Sequence, residues 1–207
     1  MILLAFDTCL DKTYITLSDN EKIIRSEVIL SDGENYHSAY LISTIVKVLK
    51  EAGMKPSDID MISTDTGPGS FTGIRACVTV ARVLSQQLNI KAVGVSSLEI
   101  LSHILGDDDL VVLDARKNKA YLYDKKLYGA VELEEVDKIV SGRKVITDNR
   151  LLSRFINTTK EVLSYQQANF ELGEILSELV VEKMDLSDWY WSKLLPLYIQ
   201  PPPVTVK

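Results

Sequence analysis

The chain has 207 residues, 46% of them hydrophobic and 25% charged, a balance that excludes a disordered, collagenous or fibrous protein. Its 23 basic side chains against 29 acidic ones leave a net charge of −6, whereas a domain that grips nucleic acid unaided carries a basic excess. The deficit is shared evenly: residues 1–105 hold 9 basic and 12 acidic side chains, and residues 106–207 hold 14 and 17.

Residues 2–7 form an apolar run that ends at Asp7, too short for a membrane span and without the basic start of a signal peptide. They read as a strand, followed by a turn over 8–12, a strand over 13–17, a turn at Asp19-Asn20, a strand over 22–30 and a polar loop over 31–35. The period turns helical over 36–52, with Gly53 as the stop and Pro56 beyond it. A strand at 61–64, a Gly67-Pro68-Gly69 break, a long helix over 70–88 capped by Ser70 or Thr72, a strand at 91–95 and a short helix over 98–105 complete this half. After the polar seam Asp107-Asp108-Asp109 the pattern restarts. Shifted by 107 positions, Leu3–Asp7 overlies 110–114, Lys12 falls on Lys119, and Tyr14-Ile15 on Tyr121-Leu122. Each half then opens with a strand, an Asp, a five-residue turn and a second strand. Two β-hairpins can look alike by chance, but a fixed-period restart is also what a duplicated lobe produces. Strands at 144–147 and 162–164, an amphipathic helix over 169–183 and an extended Pro201-Pro202-Pro203 follow. The expectation is an α/β protein of two lobes, 1–105 and 106–207.

Two helices are more apolar than a surface helix needs. On the first, Leu41, Ile45, Val48, Leu49 and Ala52 form one band that Ala39, Ile42 and Val46 widen to about 180°, where a surface helix shows little over 100°. On the second, the polar stripe is Arg75, Thr79, Arg82 and Gln86, with Val78 and Val83 at its margins and a ridge of small residues at Gly73, Cys77 and Ala81. Either both helices are enclosed within one domain, or one face meets a second protein. On the second reading the partner-facing residues are Ala39, Ile42, Val46, Gly73, Arg75, Val78, Thr79, Arg82 and Val83.

Gly67-Pro68-Gly69-Ser70-Phe71-Thr72-Gly73-Ile74-Arg75 joins a strand to a helix N-terminus. Gly67, Gly69, Ser70 and Thr72 are candidate contacts for a phosphate or carboxylate there, though the loop matches neither a P-loop nor a dinucleotide fingerprint. A tight turn with a capped helix is the plainer reading. No GxSxG motif occurs. His37 and His103 are isolated, and Cys9 and Cys77 form no CxxC pair, so neither a zinc centre nor a disulfide framework is expected, and a reducing cytoplasm is the simplest compartment. Asp7 and Asp114 are candidates to hold magnesium between two lobes, or simply cap turns. Arg116-Lys117-Asn118-Lys119 with Lys125-Lys126 is a modest basic cluster, either solvated or in reach of RNA phosphates.

LAFDT at the start, GPGSFTGIR, GVSSLE and LDARKNKAY together resemble the TsaB (YeaZ) family. The likeness covers residues 1 to about 123 and then thins to Pro196-Leu197-Tyr198-Ile199-Gln200, where the family more often ends in Arg. It implies the fold of the actin/Hsp70/sugar-kinase superfamily, two RNase-H-like lobes of which the second is degenerate. It also implies a part in making threonylcarbamoyladenosine beside the anticodon of tRNAs that read codons starting with A. There the family partners the catalytic paralogue TsaD and the ATPase TsaE, and meets tRNA through the complex. TsaD carries two metal-binding histidines in a GVNHxxGH segment; Ser97 and Leu101 stand at those positions here. After Gly106 only Gly129, Gly142 and Gly173 remain, unclustered, so the second half offers few loops for nucleotide phosphates. The resemblance thus implies a non-catalytic subunit without a metal or cofactor of its own, nucleotide binding being weak at most. Pairing through helices 36–52 and 70–88 is implied, as a TsaD heterodimer or, alone, a homodimer. The rival is an autonomous ATP-dependent phosphotransferase or peptidase-like hydrolase that uses the GPGSFTG loop.

Overall fold

A computed structural model describes residues 1–31, 36–105, 109–168, 170–182 and 190–200. The first sheet contains β1 (Ile2–Asp7), β2 (Thr13–Asp19), β3 (Lys22–Ile29), β4 (Met61–Asp65) and β5 (Lys91–Val95), in the order β3-β2-β1-β4-β5. Its first three strands run as an antiparallel meander, and β4 and β5 join parallel beyond β1. The crossovers are α1 (Leu41–Glu51) and α2 (Phe71–Leu88). The second sheet contains β6 (Leu110–Arg116), β7 (Lys119–Tyr123), β8 (Leu127–Glu132), β9 (Lys144–Thr147) and β10 (Glu161–Ser164), in the order β8-β7-β6-β9-β10. Its parallel crossovers carry α4 (Leu133–Ile139) and α5 (Asn149–Phe155), while α3 (Ser97–Ser102) follows β5 and α6 (Leu172–Glu182) follows β10. Both sheets share one wiring, the topological form of the 107-residue restart.

The two opening hairpins nonetheless close differently. In the first, Asp7 pairs with Tyr14, leaving the expected wide turn. In the second, Arg116 pairs with Lys119 beyond an irregularity after Asp114, so only Lys117 and Asn118 form the loop. Both have positive φ, 50° and 61°, the backbone that a two-residue hairpin turn demands and that Asn tolerates. The five-residue turn expected there is therefore corrected to a bulge plus a two-residue turn.

Alternation along the strands sets the layers. Leu4, Phe6, Ile15, Leu17 and Ile62 pack with Leu41, Ile45 and Val48 of α1 and Ile74, Cys77, Val78 and Ala81 of α2. The regular part of α1 begins five residues later than the period suggests, because His37–Tyr40 forms a 3-10 turn and neither N-cap position supplies a side-chain cap. The opposite face of the first sheet is covered by α6, which packs against β1, β2 and β4. The contact is close: a Cβ on Gly173 would lie 2.6 Å from Thr16 Oγ1, and Ser177 and Ser18 hydroxyls bond at 2.7 Å. The second core gathers Leu110, Val112, Leu122, Val136, Val145 and Phe155.

The chain divides into one unit of Met1–Ser97 with Glu171–Leu197, and another of Leu98–Phe170 with Tyr198 onward. Helix α6, expected to complete the second lobe, completes the first, because its apolar face of Leu172, Leu176, Leu179 and Val180 is buried on that sheet. Among the described residues no helix is long and apolar enough to cross a membrane. The polar loop at 32–35, Asp107-Asp108, the ends of the helix expected over 169–183 and Pro201-Pro202-Pro203 lie outside the described residues.

Candidate functional site

The loop ahead of α2 is built against the chain's own backbone. Ser70 is the N-cap, its Oγ accepting from Gly73 N at 3.3 Å. The Gly67 N–H donates to Asp65 Oδ1 at 2.6 Å, and the Ser70 N–H donates to the Cys9 carbonyl at 2.7 Å. A Cβ on Gly69 would fall 2.2 Å from Cys9 O, and one on Gly73 would fall 1.8 Å from Thr8 O. The glycines therefore serve close packing, and the Gly67 and Ser70 donors proposed for an anion are already occupied. Thr72 is exposed. From the other side, Leu197 N donates to Thr66 O at 2.9 Å, and Leu194 is buried in the core.

Behind this loop lies a cluster the sequence did not announce. Asp7, Cys9 and Cys77 place a carboxylate oxygen and two sulfurs within 4.8 Å of one another, all buried. The expectation of no thiol cluster is corrected here: 68 positions apart, the two cysteines meet because α2 packs on the end of β1. The Thr8 N–H donates to Cys77 Sγ at 3.0 Å, the Cys9 N–H donates to Asp7 Oδ1, and the Cys9 thiol points at the Asp65 carbonyl at 3.5 Å. Asp65 itself accepts from Ser97 Oγ at 2.6 Å. Among the described residues neither Asp7 nor Asp65 is in an ion pair.

Burial, reinforced by the neighbouring Asp65 charge, holds the Asp7 carboxyl well above the usual carboxylate range. Burial also pushes Asp65 up to about 6, against the Ser97 hydroxyl and Gly67 N–H, which favour its ionised form. The Cys9 thiol is raised, chiefly by burial. A carboxyl whose pKa rises on folding contributes stability at low pH that is lost as pH climbs through its folded value. Chelator-treated protein is therefore expected to lose about 1–3 kcal/mol of unfolding free energy between pH 4 and pH 7 through this pair. Denaturant titrations across that range check it, and Asp65→Asn should flatten the slope.

The remaining sequence candidates disperse. Asp114 accepts from Arg116 N and lies 3.5 Å from both Arg116 and Arg150 guanidinium nitrogens, whereas Asp7 is enclosed in its own unit. Ser97 is committed to Asp65, and Leu101 is fully buried, so neither TsaD histidine position offers a ligand of that kind. The His37 side chain lies outside the described residues, and His103 follows α3. In the basic cluster Lys119 pairs with Glu132, and Lys126 sits over the Tyr128 ring.

The candidate partner surface separates into two groups. Ile42 is 62% exposed, Val46 60% and Val83 51%, and Ala39, Arg75 and Thr79 are exposed beside them. The 3-10 turn carrying Ala39 lies against α2, so the two helices present neighbouring apolar faces. Gly73 and Val78 require correction: both are buried, Val78 at 3% in the core, because the sheet takes that flank of α2. Arg82 is also diverted, its guanidinium 5.5 Å over the Trp191 ring and donating to Leu194 O at 3.4 Å. Sequence reasoning missed the exposed Tyr36, Tyr190 and Leu195, which lie outside the regular helices and so carry no periodic signal.

Residues 24–181 match the family described as TsaD: tRNA N6-adenosine threonylcarbamoyltransferase. The chain is 35% identical over 104 residues to the tRNA threonylcarbamoyladenosine biosynthesis protein TsaB of Buchnera aphidicola subsp. Schizaphis graminum, covering 49% of this chain and 47% of that one. It is 35% identical over 134 residues to the TsaB of Bacillus subtilis, covering 61% and 56%. The chain thus spans about half the length of the curated relatives it matches. Among solved structures, YeaZ from Pseudomonas aeruginosa superposes with a TM-score of 0.74 at 21% identity, over 95% of this chain and 99% of that one. An uncharacterized protein with similarity to peptidase YEAZ from the same organism gives 0.76 at 22%, over 96% and 99%. The repeated sheet wiring, the GPGSFTG loop and this matched span agree: the chain belongs to the TsaB/YeaZ family, within the wider TsaD sequence family.

Proposed function

We propose that this protein is a non-catalytic subunit in tRNA threonylcarbamoyladenosine biosynthesis, docking a TsaD-type partner through the outer faces of α1 and α2. The observation that carries this reading is the apolar stripe of Ile42, Val46 and Val83, exposed on helices whose opposite faces already fill the core. A helix satisfied on its sheet side has no internal need for a second apolar face, and such patches mark protein interfaces. The absence of catalysis rests on Ser97 and Leu101, and on a loop whose Gly67 and Ser70 donors are bound internally. In this scheme the threonylcarbamoyl group is transferred from its adenylate by the partner. This subunit holds the partner in its active arrangement and contributes to the surface met by TsaE and tRNA. Self-pairing through the same helices covers the stripe when the partner is missing. The −6 charge then leaves most phosphate contacts to the partners.

Reconstitution of the tRNA modification from purified components tests this. Omitting the subunit is expected to abolish turnover, and ATP with magnesium is expected to bind the isolated chain weakly or not at all. Full modification without it would overturn the scaffold role, and tight ATP binding by the isolated chain would favour an autonomous enzyme.

A further inference from the structure

We infer that Asp7, Cys9 and Cys77 form a binding site for a thiophilic divalent cation of the zinc class. Buried acids require a partner, and the described neighbours of this cluster supply only neutral donors. These include the Thr8 N–H to Cys77 Sγ, the Cys9 N–H to Asp7 Oδ1, and the Gly67 N–H and Ser97 hydroxyl to Asp65, and the Asp7 and Asp65 carboxyls share a hydrogen bond of their own. Asp7 Oδ2 is fully buried and is offered no hydrogen bond other than a shared one with the neighbouring Asp65 carboxyl, a crowding of two acids that a bound cation relieves. The donor set is chemically consistent: two sulfurs and one carboxylate oxygen lie within 4.8 Å of one another. Zinc bonds of about 2.3 Å to sulfur and about 2.0 Å to oxygen place tetrahedral ligand atoms about 3.5–3.8 Å apart, so the ligands need to draw together by about 1.3 Å at most.

The hydrogen bonds at Cys77 Sγ also suit a sulfur ligand. A backbone N–H lies 3.0 Å from Cys77 Sγ, the kind of donor that orients a sulfur ligand. The Thr8 hydroxyl, which contacts the same sulfur, gives its own proton to Gly73 O at 2.7 Å, so its lone pair faces the thiol proton that metal binding would release. Binding exchanges two thiol protons, and the Asp7 proton where present, for one divalent ion, so affinity rises with pH. The ligands come from the end of β1 and the loop after it, and from the second turn of α2. The ion would therefore tie those two elements together, independently of any role of the outer helix faces in docking.

The test uses the full chain, refolded from denaturant under reductant with cadmium ion as the probe, since burial of the site couples loading to folding. One equivalent per chain with a sulfur-to-cadmium charge-transfer absorption is expected. Cys9→Ser and Cys77→Ser should each diminish that absorption, and Asp7→Asn should weaken binding by about tenfold or more. Because those variants can fail to fold, X-ray absorption of the zinc-loaded parent chain gives a separate reading: two sulfur scatterers near 2.3 Å are expected. No saturable absorption, an absorption that survives Cys77→Ser, a shell of oxygen and nitrogen alone, or a Cys9–Cys77 disulfide in place of the ion would each overturn the site.

Discussion

Gly73→Ala is expected to cost about 3–5 kcal/mol and to unfold the first unit at temperatures the parent protein withstands. In a helix interior the same exchange ordinarily gains close to 1 kcal/mol, since alanine is the better helix former. Here the added Cβ would stand 1.8 Å from Thr8 O and 2.7 Å from Thr8 C. Neither atom is the free end of a flexible side chain. Thr8 is also fixed by its own hydroxyl, which donates to Gly73 O, and by its N–H, which donates to Cys77 Sγ. Moving aside means parting α2 from the end of β1 and disrupting the core between them. Thr79→Ala, on the exposed side of the same helix, is the control and should stay within about 0.5 kcal/mol of the parent. Thermal and denaturant melts of the three proteins check the sign; a neutral or stabilised Gly73→Ala would mean that the helix and the Thr8–Cys9 turn are not so closely opposed.

Ile42→Lys, alone or with Val46→Asp, is expected to leave folding intact and to weaken partner binding by about 30- to 1000-fold. Both side chains are mostly in water in the isolated chain, so the substitutions remove little core packing. In a docked complex each would bury a charge without a counter-ion, the condition under which interface changes cost most. Val78→Glu would answer a different question, because Val78 is enclosed in the core and the variant would lose its fold before its partner. Co-elution with a TsaD-type protein, with circular dichroism to establish folding, is the measurement. Folded variants that still co-elute would remove α1 from the interface.

Much of the first unit is legible in the chain, for reasons that also explain what is not. Strands such as Ile2–Asp7 and Lys91–Val95 are apolar runs, buried along most of their length, that stop at the polar Thr8 and Ser96, so composition delimits their ends. α2 is marked at its start by Ser70 and at its end by Asn89, which adopts the left-handed conformation at φ 54°. In the second unit β8, α4 and α5 escaped notice. α4 buries only Leu133 and Val136, and α5 only Leu151 and Phe155, too few for a period to emerge. β8 lies at a sheet edge with Leu127 and Tyr128 exposed. From sequence alone Val78 reads as outward-facing, because a helical projection gives the width of an apolar arc without saying which flank the sheet occupies. For the same reason the apolar face of α6 was evident while its destination was not. The Asp7, Cys9 and Cys77 cluster depends on packing between β1 and α2, and nothing local in the sequence encodes it.

The return of residues 171–197 to the first unit has a consequence for the order of folding during synthesis. The five strands of the first sheet are all translated by Val95, yet the face bearing Thr16 and Ser18 stays uncovered until α6 has left the ribosome. The nascent chain must carry that half-finished layer while the whole intervening unit is made. If the second unit folds first, it shortens the tether that α6 must close and lowers the entropic cost of bringing its ends together. The second unit would then act as an internal assembly aid for the first.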